Sequence, residues 1–184
     1  ISIGNAAFDC SGLASVTIGN SVTSIGDEAF QNCSSLKSVI IPNSVTEIGG
    51  CAFENCSGFT GPLIIPDSVT NIGNNAFSGS SHFTGSLTIG RSMLGIGERA
   101  FENTQFTQIV AKPSTPPVLD ADALYGMSEL QAITVPCGTG GDYGTSSWNA
   151  YAIITEAFLF DLTVASANPD FGTAEITQLA ICEN

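Results

Sequence analysis

The hydrophobic positions of this chain repeat at a spacing of 22 to 24 residues. An Ile-Gly pair recurs with its glycine at positions 4, 26, 49, 73 and 97, and an Ala-Phe pair ends four residues after each glycine, at Phe8, Phe30, Phe53, Phe77 and Phe101. We expect each phenylalanine to fill the same internal slot of its unit and each alanine to let the next unit approach closely. We expect each glycine to supply a φ angle that other residues resist where the chain turns.

Between these phrases lie short β-branched runs that alternate with period two. Their inward positions are predicted to be Val16 and Ile18, Val39 and Ile41, Leu63 and Ile65, Leu87 and Ile89, Ile109 and Ala111, and Ile133 and Val135. Alternation of this kind, bounded by Gly, Pro, Asn or Ser, is typical of strands. The sequence therefore predicts six short strands, each followed by the same turn.

A period in the low twenties predicts a solenoid, because a unit of that length cannot bury its own apolar face and must stack on its neighbours. The predicted fold is an α/β repeat solenoid of about six coils over residues 1–137, rich in β-structure, with short turns or helices. The sixth unit departs from the phrase: it lacks the Ile-Gly pair, while Ala123 and Leu124 hold the Ala and Phe slots.

Two further segments follow the repeats. Residues 138–157 are predicted to be a C-terminal cap, in which Trp148 and Tyr151 cover the open end of the core. Its Gly-rich loop precedes a short helix that we expect to begin at one of three hydroxyl residues, Thr145, Ser146 or Ser147. Residues 158–184 alternate as a β-hairpin, which either packs against the cap or begins a truncated second domain.

The charge of the chain is strongly negative. The chain has seventeen acidic residues and only four basic ones, Lys37, Arg91, Arg99 and Lys112, which gives a net charge of −13. Phosphate backbones and anionic membrane surfaces need clustered cations, so nucleic acid and direct membrane binding are excluded as functions. The apolar runs are too short to cross a bilayer.

The six cysteines occupy positions of different kinds. Cys33 and Cys56 share one slot of the repeat, which holds Ser80 and Thr104 in later units, so free buried thiols are favoured over a disulfide framework or a metal site. Cys51 takes a variable position and is expected to be exposed and reactive. A disulfide between Cys137 and Cys182 would tie down the terminal hairpin, and this bridge and two free thiols stay equally open.

Other candidate chemistry is weak. His82 lies in a polar loop, where a dyad with Cys56 competes with the simpler interpretation of a solvated histidine. The sequence contains no Cys-x-x-Cys pair of the kind that binds zinc. The glycines of residues 138–144 do not match a nucleotide-binding loop. Carboxylate pairs such as Asp27 and Glu28 occupy variable turn positions, as expected of a solvated face. We predict no catalytic, cofactor or metal-binding residues.

One row of residues is a candidate binding surface. Each predicted strand carries a single uncharged β-branched residue between its inward positions, namely Thr17, Ile40, Ile64, Thr88, Val110 and Thr134. On a molecule of net charge −13, an uncharged row across a strand face is typical of a protein docking surface. Strand propensity alone also favours these residue types.

The stretch "SVTSIGDEAFQNCSSLKSVIIP", residues 21–42, resembles the repeat of the BspA-like leucine-rich repeat family of bacterial surface proteins. There, "P-x-S-V-x-x-I-G" and "A-F-x-N-C-x-x-L" follow one another, and the resemblance covers about residues 1–137. The terminal "LTVASANPDFGTAEI" is similar to the opening of internalin-type B-repeat modules. The resemblance implies a leucine-rich repeat solenoid without enzymatic activity.

The same resemblance implies a secreted or outer-surface protein that adheres to host matrix proteins. Because the chain opens within a repeat, we expect its export signal and anchor to lie outside this sequence. The predicted partner is a host or other protein. The alternative is a structural spacer or a carbohydrate-binding stalk, for which Trp148, Tyr143 and Tyr151 would form the aromatic platform.

Overall fold

The computed structural model describes residues 1–151 and 153–157. The chain winds into six coils, which span residues 1–23, 24–46, 47–70, 71–94, 95–117 and 118–136, and each coil stacks on the next. The predicted repeat solenoid is confirmed. All of its strand pairs are parallel, because equivalent segments of successive coils run in the same direction.

The first of two sheets contains six two-residue strands. They are β1 (Ser2–Ile3), β2 (Ser24–Ile25), β3 (Glu47–Ile48), β5 (Asn71–Ile72), β7 (Gly95–Ile96) and β9 (Val118–Leu119), paired in that order. The sequence interpretation missed this sheet, because the isoleucine of the Ile-Gly pair was assigned to the turn. Two residues are too few to show a period of two, so the missed signal was the recurrence of the isoleucine itself.

The second sheet has the order β11-β10-β8-β6-β4. Its strands are β4 (Gly61–Ile64), β6 (Phe83–Ile89), β8 (Gln108–Ala111), β10 (Ala132–Pro136) and β11 (Ile153–Ala157). Four of the six predicted strands are therefore confirmed. The two predicted at 16–18 and 39–41 are wrong, since neither segment forms a strand. β4 is the edge strand of this sheet, and its Pro62 has no N–H to donate to coil 2.

Hydrogen bonds between coils continue through the turns. The backbone N–H of Phe30 donates to the carbonyl of Ala52, and Phe53 bonds to Ala76 in the same way, at 2.8 and 2.7 Å. Each turn contains left-handed residues, two and six places after the glycine position, such as Glu28 (φ 59°) and Asn32 (φ 59°) in coil 2.

The glycine of the Ile-Gly pair has a different role from the one predicted. It is not the left-handed residue of the turn, so the expectation about its φ angle is wrong. A Cβ atom on Gly73 would lie 2.5 Å from the backbone nitrogen of Gly50 and 2.6 Å from the carbonyl carbon of Gly49. Glycine is required here because the preceding coil approaches too closely for any side chain.

Two aromatic stacks run through the core. The rings of Phe8, Phe30, Phe53, Phe77 and Phe101 are nearly parallel, with centroids 5.1 to 5.3 Å apart. The sequence interpretation missed a second stack of Phe59, Phe83 and Phe106, with centroids 4.9 and 5.0 Å apart. Leucine takes its slot in the other coils, at Leu13, Leu36 and Leu130. In the degraded sixth coil, Leu124 is buried as predicted.

The cap closes the last coil. Helix α1 (Gly140–Thr145) occupies the segment predicted to be a loop, and a 3-10 helix (Ser147–Ala150) follows Ser146, whose hydroxyl accepts the N–H of Trp148. Of the three predicted starting points, Ser146 is therefore the N-cap. Strand β11 then pairs with β10 and extends the second sheet by one layer, which the sequence did not predict. The predicted hairpin at 158–184 lies outside the described residues.

Candidate docking surface

Four of the six predicted uncharged residues share one face of the second sheet. Ile64 pairs with Thr88, Thr88 with Val110, and Val110 with Thr134, so these four positions lie side by side on successive strands. Thr17 and Ile40 hold the equivalent repeat positions in coils 1 and 2. Strand stacking repeats at about 4.8 Å, which sets the spacing of neighbouring side chains in the paired part of the row.

Exposure differs along this row. Ile40 is 83% exposed and Ile64 is 63% exposed, whereas Thr88 and Val110 are half-buried. Thr134 is buried. Its hydroxyl accepts a hydrogen bond from Gln108 and lies 3.4 Å from the Thr155 hydroxyl of the neighbouring strand. Its predicted place in an accessible surface is therefore wrong. We call the remaining five residues the outer row: Thr17, Ile40, Ile64, Thr88 and Val110.

A small charged cluster borders the outer row. Arg91 follows β6 and Lys112 follows β8, and both approach Asp67, which follows β4. The Arg91 guanidinium lies 2.8 Å from Asp67 Oδ2, while Lys112 Nζ lies 3.6 Å from Oδ1. The backbone N–H of Arg91 also donates to Asp67. One carboxylate thus faces two cations.

The turns that follow the strands of the first sheet are acidic. Asp27, Glu28 and Asp122 are exposed there, in agreement with the prediction of a solvated face. A groove of about 350 Å³ runs along the first sheet and is lined by Asp27 and Glu47. Asp27 is committed to structure, because its Oδ1 accepts the N–H of Gly50 at 2.7 Å. Among the described residues, no three His, Cys, Asp or Glu side chains are placed to hold a metal ion.

Cys33 and Cys56 are free and fully buried, so the predicted core thiols are confirmed. The thiol of Cys56 donates to the carbonyl of Phe30 at 3.1 Å, and that of Cys33 donates to Phe8 at 3.2 Å. Ser80 makes the same bond to Phe53, which explains why the slot accepts either residue. Burial raises the pKa of the Cys56 thiol to about 12.

Cys51 is not the exposed, reactive cysteine that the sequence predicted. It is half-buried, and its pKa is raised to about 11 by burial and by the nearby carboxylate of Glu54. Because the thiolate is the nucleophile, the raised pKa disfavours reaction of Cys51 near neutral pH. Cys10 is exposed instead, although its hydrogen bond to Asp9 raises its thiol pKa.

The other candidate sites are not assembled. His82 is exposed, whereas Cys56 is buried and bonded to Phe30, so the two do not form a dyad. Tyr143 and Trp148 are fully buried, which contradicts the aromatic sugar platform. Their polar atoms donate to the carbonyls of Pro113 and Pro117, and burial raises the pKa of Tyr143.

The disulfide predicted for the C-terminal segment involves a residue that the structure does not describe. The partner predicted for Cys137, Cys182, lies outside the described residues, so the bridge stays a prediction. Within residues 1–151 and 153–157, no helix has the length and apolar character to cross a membrane.

Comparison with known proteins places the repeats in a family. Residues 1–131 match six copies of the BspA-type leucine-rich repeat region. A leucine-rich cell surface protein from Faecalibacterium prausnitzii A2-165 is similar to the chain, with 31% sequence identity and a TM-score of 0.54. A leucine-rich repeat protein from Bacteroides ovatus ATCC 8483 is similar at 18% identity and a TM-score of 0.43, over 86% of this chain.

The chain spans only part of these solved relatives. The match covers 73% of this chain but 42% of the Faecalibacterium protein, and it covers 57% of the Bacteroides protein. No functionally curated protein matches. The family model nevertheless covers most of the sequence, and the same coils carry the Phe stacks and both parallel sheets. The chain therefore belongs to the BspA-type leucine-rich repeat family.

Proposed function

We propose that this chain is a non-enzymatic, adhesin-like protein-binding module of a bacterial surface protein. The outer row is its docking surface, and a host or other partner protein is its ligand. The observation that carries this proposal is the exposure of Ile40 (83%) and Ile64 (63%), two large aliphatic side chains at equivalent positions of adjacent coils. Exposed apolar side chains grouped on a rigid surface favour association with another protein.

The solenoid suits such a role because it holds the row rigid. The residues beside Ile64, Leu63 and Ile65, are buried in the core, so the strand cannot rotate to hide the exposed side chain. Removing one isoleucine side chain from water is worth about 1.5 to 3 kcal/mol. A preformed surface loses little conformational entropy when it binds, so more of that gain contributes to affinity.

The extracellular location is part of the same proposal. The Faecalibacterium relative, which shares 31% identity, is described as a cell surface protein. A net charge of −13 fits a chain that does not bind nucleic acid or anionic lipid.

A binding experiment with a matched control tests the proposal. Immobilised matrix proteins, with fibronectin, fibrinogen and collagen as the panel, are probed with the chain and with an Ile40→Lys/Ile64→Lys variant. We expect the variant to lose binding by about tenfold or more, since a charge replaces each apolar contact. The control is Leu94→Lys/Val118→Lys, which changes two side chains that are each 66% exposed and lie elsewhere.

The outcomes separate the hypotheses. Binding that survives in the Ile40→Lys/Ile64→Lys variant removes the outer row from the proposal. Equal loss in both double variants indicates a non-specific effect of added charge. A wild-type chain that binds no member of the panel leaves a structural spacer as the better description.

A further inference from the structure

The groove along the first sheet is a second candidate site, on strands that the outer row does not use. Three outward side chains of adjacent strands line it, namely Ser24 on β2, Glu47 on β3 and Asn71 on β5. Neighbouring strands lie about 4.8 Å apart, so these three side chains span roughly 10 Å. The volume of the groove, about 350 Å³, is typical of sites that bind small ligands.

A row of side-chain acceptors runs along one wall of the groove. The backbone N–H of Asp27 donates to Asn5 Oδ1 at 3.0 Å, and the N–H of Gly50 donates to Asp27 Oδ1 at 2.7 Å. Asn74 continues the row in coil 4, where its Oδ1 accepts the N–H of Glu98 at 3.0 Å. Each of these side chains therefore binds the backbone N–H of the equivalent residue in the next coil.

Gly50 interrupts this row, because it stands where coils 1, 2 and 4 carry Asn or Asp. Within the part of the chain that the structure describes, no group accepts the N–H of Asn74, the donor that a side chain at position 50 would bind. A Cβ atom on Gly50 would lie 3.5 Å from the Asn74 carbonyl oxygen and 3.6 Å from Asp27 Oδ1, which are ordinary contacts. The place of the missing side chain is therefore open, and it borders the groove that Gly50 lines.

The carboxylate of Glu47 complements this backbone donor. It is exposed, and among the described residues it takes part in no hydrogen bond or ion pair. The residues that line the groove include a second carboxylate, Asp27, and no Lys, Arg or His. The groove therefore favours neutral ligands that donate hydrogen bonds, and it repels anions.

We propose that this groove binds a neutral oligosaccharide. A hydroxyl group both accepts and donates hydrogen bonds, so one sugar hydroxyl can accept the N–H of Asn74 in the open place beside Gly50. Other hydroxyls of the same ligand donate to Glu47 and bond to Ser24 and Asn71 on the adjacent strands. The groove and the outer row use different residues, so this inference does not depend on the proposed protein-binding function.

Other ligand classes match fewer of these groups. A lysine or arginine side chain would pair with Glu47, but it has no acceptor for the N–H of Asn74. A sialylated or sulfated glycan has acceptors, but its negative charge is repelled by Asp27 and Glu47. A neutral sugar supplies acceptors and donors together without a charge.

Saturation-transfer difference NMR with the full 184-residue chain tests the proposal. The probes are lactose, maltotriose, cellotriose and chitotriose as neutral sugars, and sialyllactose as the anionic one. We expect at least one neutral sugar to bind and sialyllactose not to bind. Gly50→Asn should weaken binding of that neutral sugar about tenfold, because the new side chain fills the open place and accepts the N–H of Asn74. Glu47→Ala should weaken it by a similar factor.

The matched control is Gly12→Asn, which adds the same side chain outside the groove, where nothing lies within 4 Å of the Cβ position. It should leave sugar binding unchanged, and circular dichroism verifies that each variant is folded. A neutral sugar that binds the wild-type chain and Gly50→Asn equally overturns the inference, as does a panel in which no neutral sugar binds.

Two further outcomes distinguish this site from the outer row and from an anion site. Sugar binding should persist in Ile40→Lys/Ile64→Lys, and its loss there would assign the sugar to the outer row and overturn the inference. Sialyllactose that binds more tightly than lactose would overturn the preference for a neutral ligand. Neither result decides whether the outer row binds a protein, which the matrix-protein experiment measures separately.

Discussion

The rings of Phe53 and Phe77 stack face to face across adjacent coils, with centroids 5.2 Å apart and 11° between their planes. Phe53 also stacks on Phe30, and it contacts Phe59 of the second stack at 6.0 Å. It is therefore packed on three sides and fully buried. The core of this solenoid depends on such contacts, since no single coil encloses a phenylalanine by itself.

Truncation of this ring should be costly. Phe53→Ala removes all three ring contacts and leaves a cavity that the flanking coils cannot fill, so we expect a loss of about 3 to 5 kcal/mol in the free energy of unfolding. Denaturant melts measure this loss. Phe8→Ala is the control, because Phe8 is 41% exposed and stacks on one ring only. Equal losses in the two variants would show that stacking between coils does not decide stability.

Close approach of the coils predicts the effect of adding a single methyl group. In Gly73→Ala, the new Cβ would lie 2.5 Å from the backbone nitrogen of Gly50, so the two coils must separate. We expect a loss of about 1 to 3 kcal/mol, measured by denaturant unfolding. Gly12→Ala is the matched control, since nothing lies within 4 Å of its Cβ position. A neutral Gly73→Ala would contradict the steric role of this glycine.

The buried thiol of Cys56 predicts a decline in stability at alkaline pH. Its pKa is about 12 in the folded chain, against an ordinary value of 9.0, so between these values the folded state binds more protons than the unfolded state. The stabilising contribution of the protonated Cys56 thiol to the free energy of unfolding is fully present below pH 9 and is lost as pH rises toward 12. Between pH 8 and pH 10.5, the free energy of unfolding should decrease less in Cys56→Ser than in the wild-type chain, as measured by denaturant melts. The serine keeps the hydrogen-bond donor found at Ser80. An unchanged pH dependence would assign the decline to other groups.

Alkylation should distinguish the free cysteines of the described residues, Cys10, Cys33, Cys51 and Cys56. Native chain treated with iodoacetamide at pH 8.5 should react first at Cys10, which is exposed. Cys51 should react slowly because its pKa is about 11, and Cys33 and Cys56 should react only after unfolding. Peptide mass spectrometry at several times gives the order. Fast labelling of Cys51 would restore the reactive cysteine that the sequence first suggested.

The parts of the fold that were predictable are those in which residue identity repeats. Phe30, Phe53 and Phe77 recur in the same phrase, and like side chains stack because stacking like on like is how a solenoid fills its core. The shared slot of Cys33 and Cys56 was predictable for a related reason. Ser80 occupies it in coil 4, which identified a small, weakly polar internal position.

The parts that were missed are those in which geometry repeats without a conspicuous pattern. The slot of the second aromatic stack holds phenylalanine in coils 3 to 5 and leucine in the other coils, so Phe59 and Leu36 share a position that no single residue type marks. The strands of the first sheet are two residues long, below the length at which alternation can be seen. The raised pKa of the Cys51 thiol depends on burial and on the nearby carboxylate of Glu54, which its own repeat position does not reveal.

The sequence by itself determined the repeat length, the solenoid, the first Phe stack, the buried thiols and the uncharged row, because each follows from which residue types recur at a fixed spacing. Only the tertiary structure decided which members of that row reach solvent, where the ladder of the second sheet ends, and why the glycines are required. These features depend on distances between coils, such as that from Gly73 to Gly50, and on which surfaces the cap and β11 cover. Spacing along a chain fixes which residues are equivalent, whereas contact across the coils fixes what each of them can do.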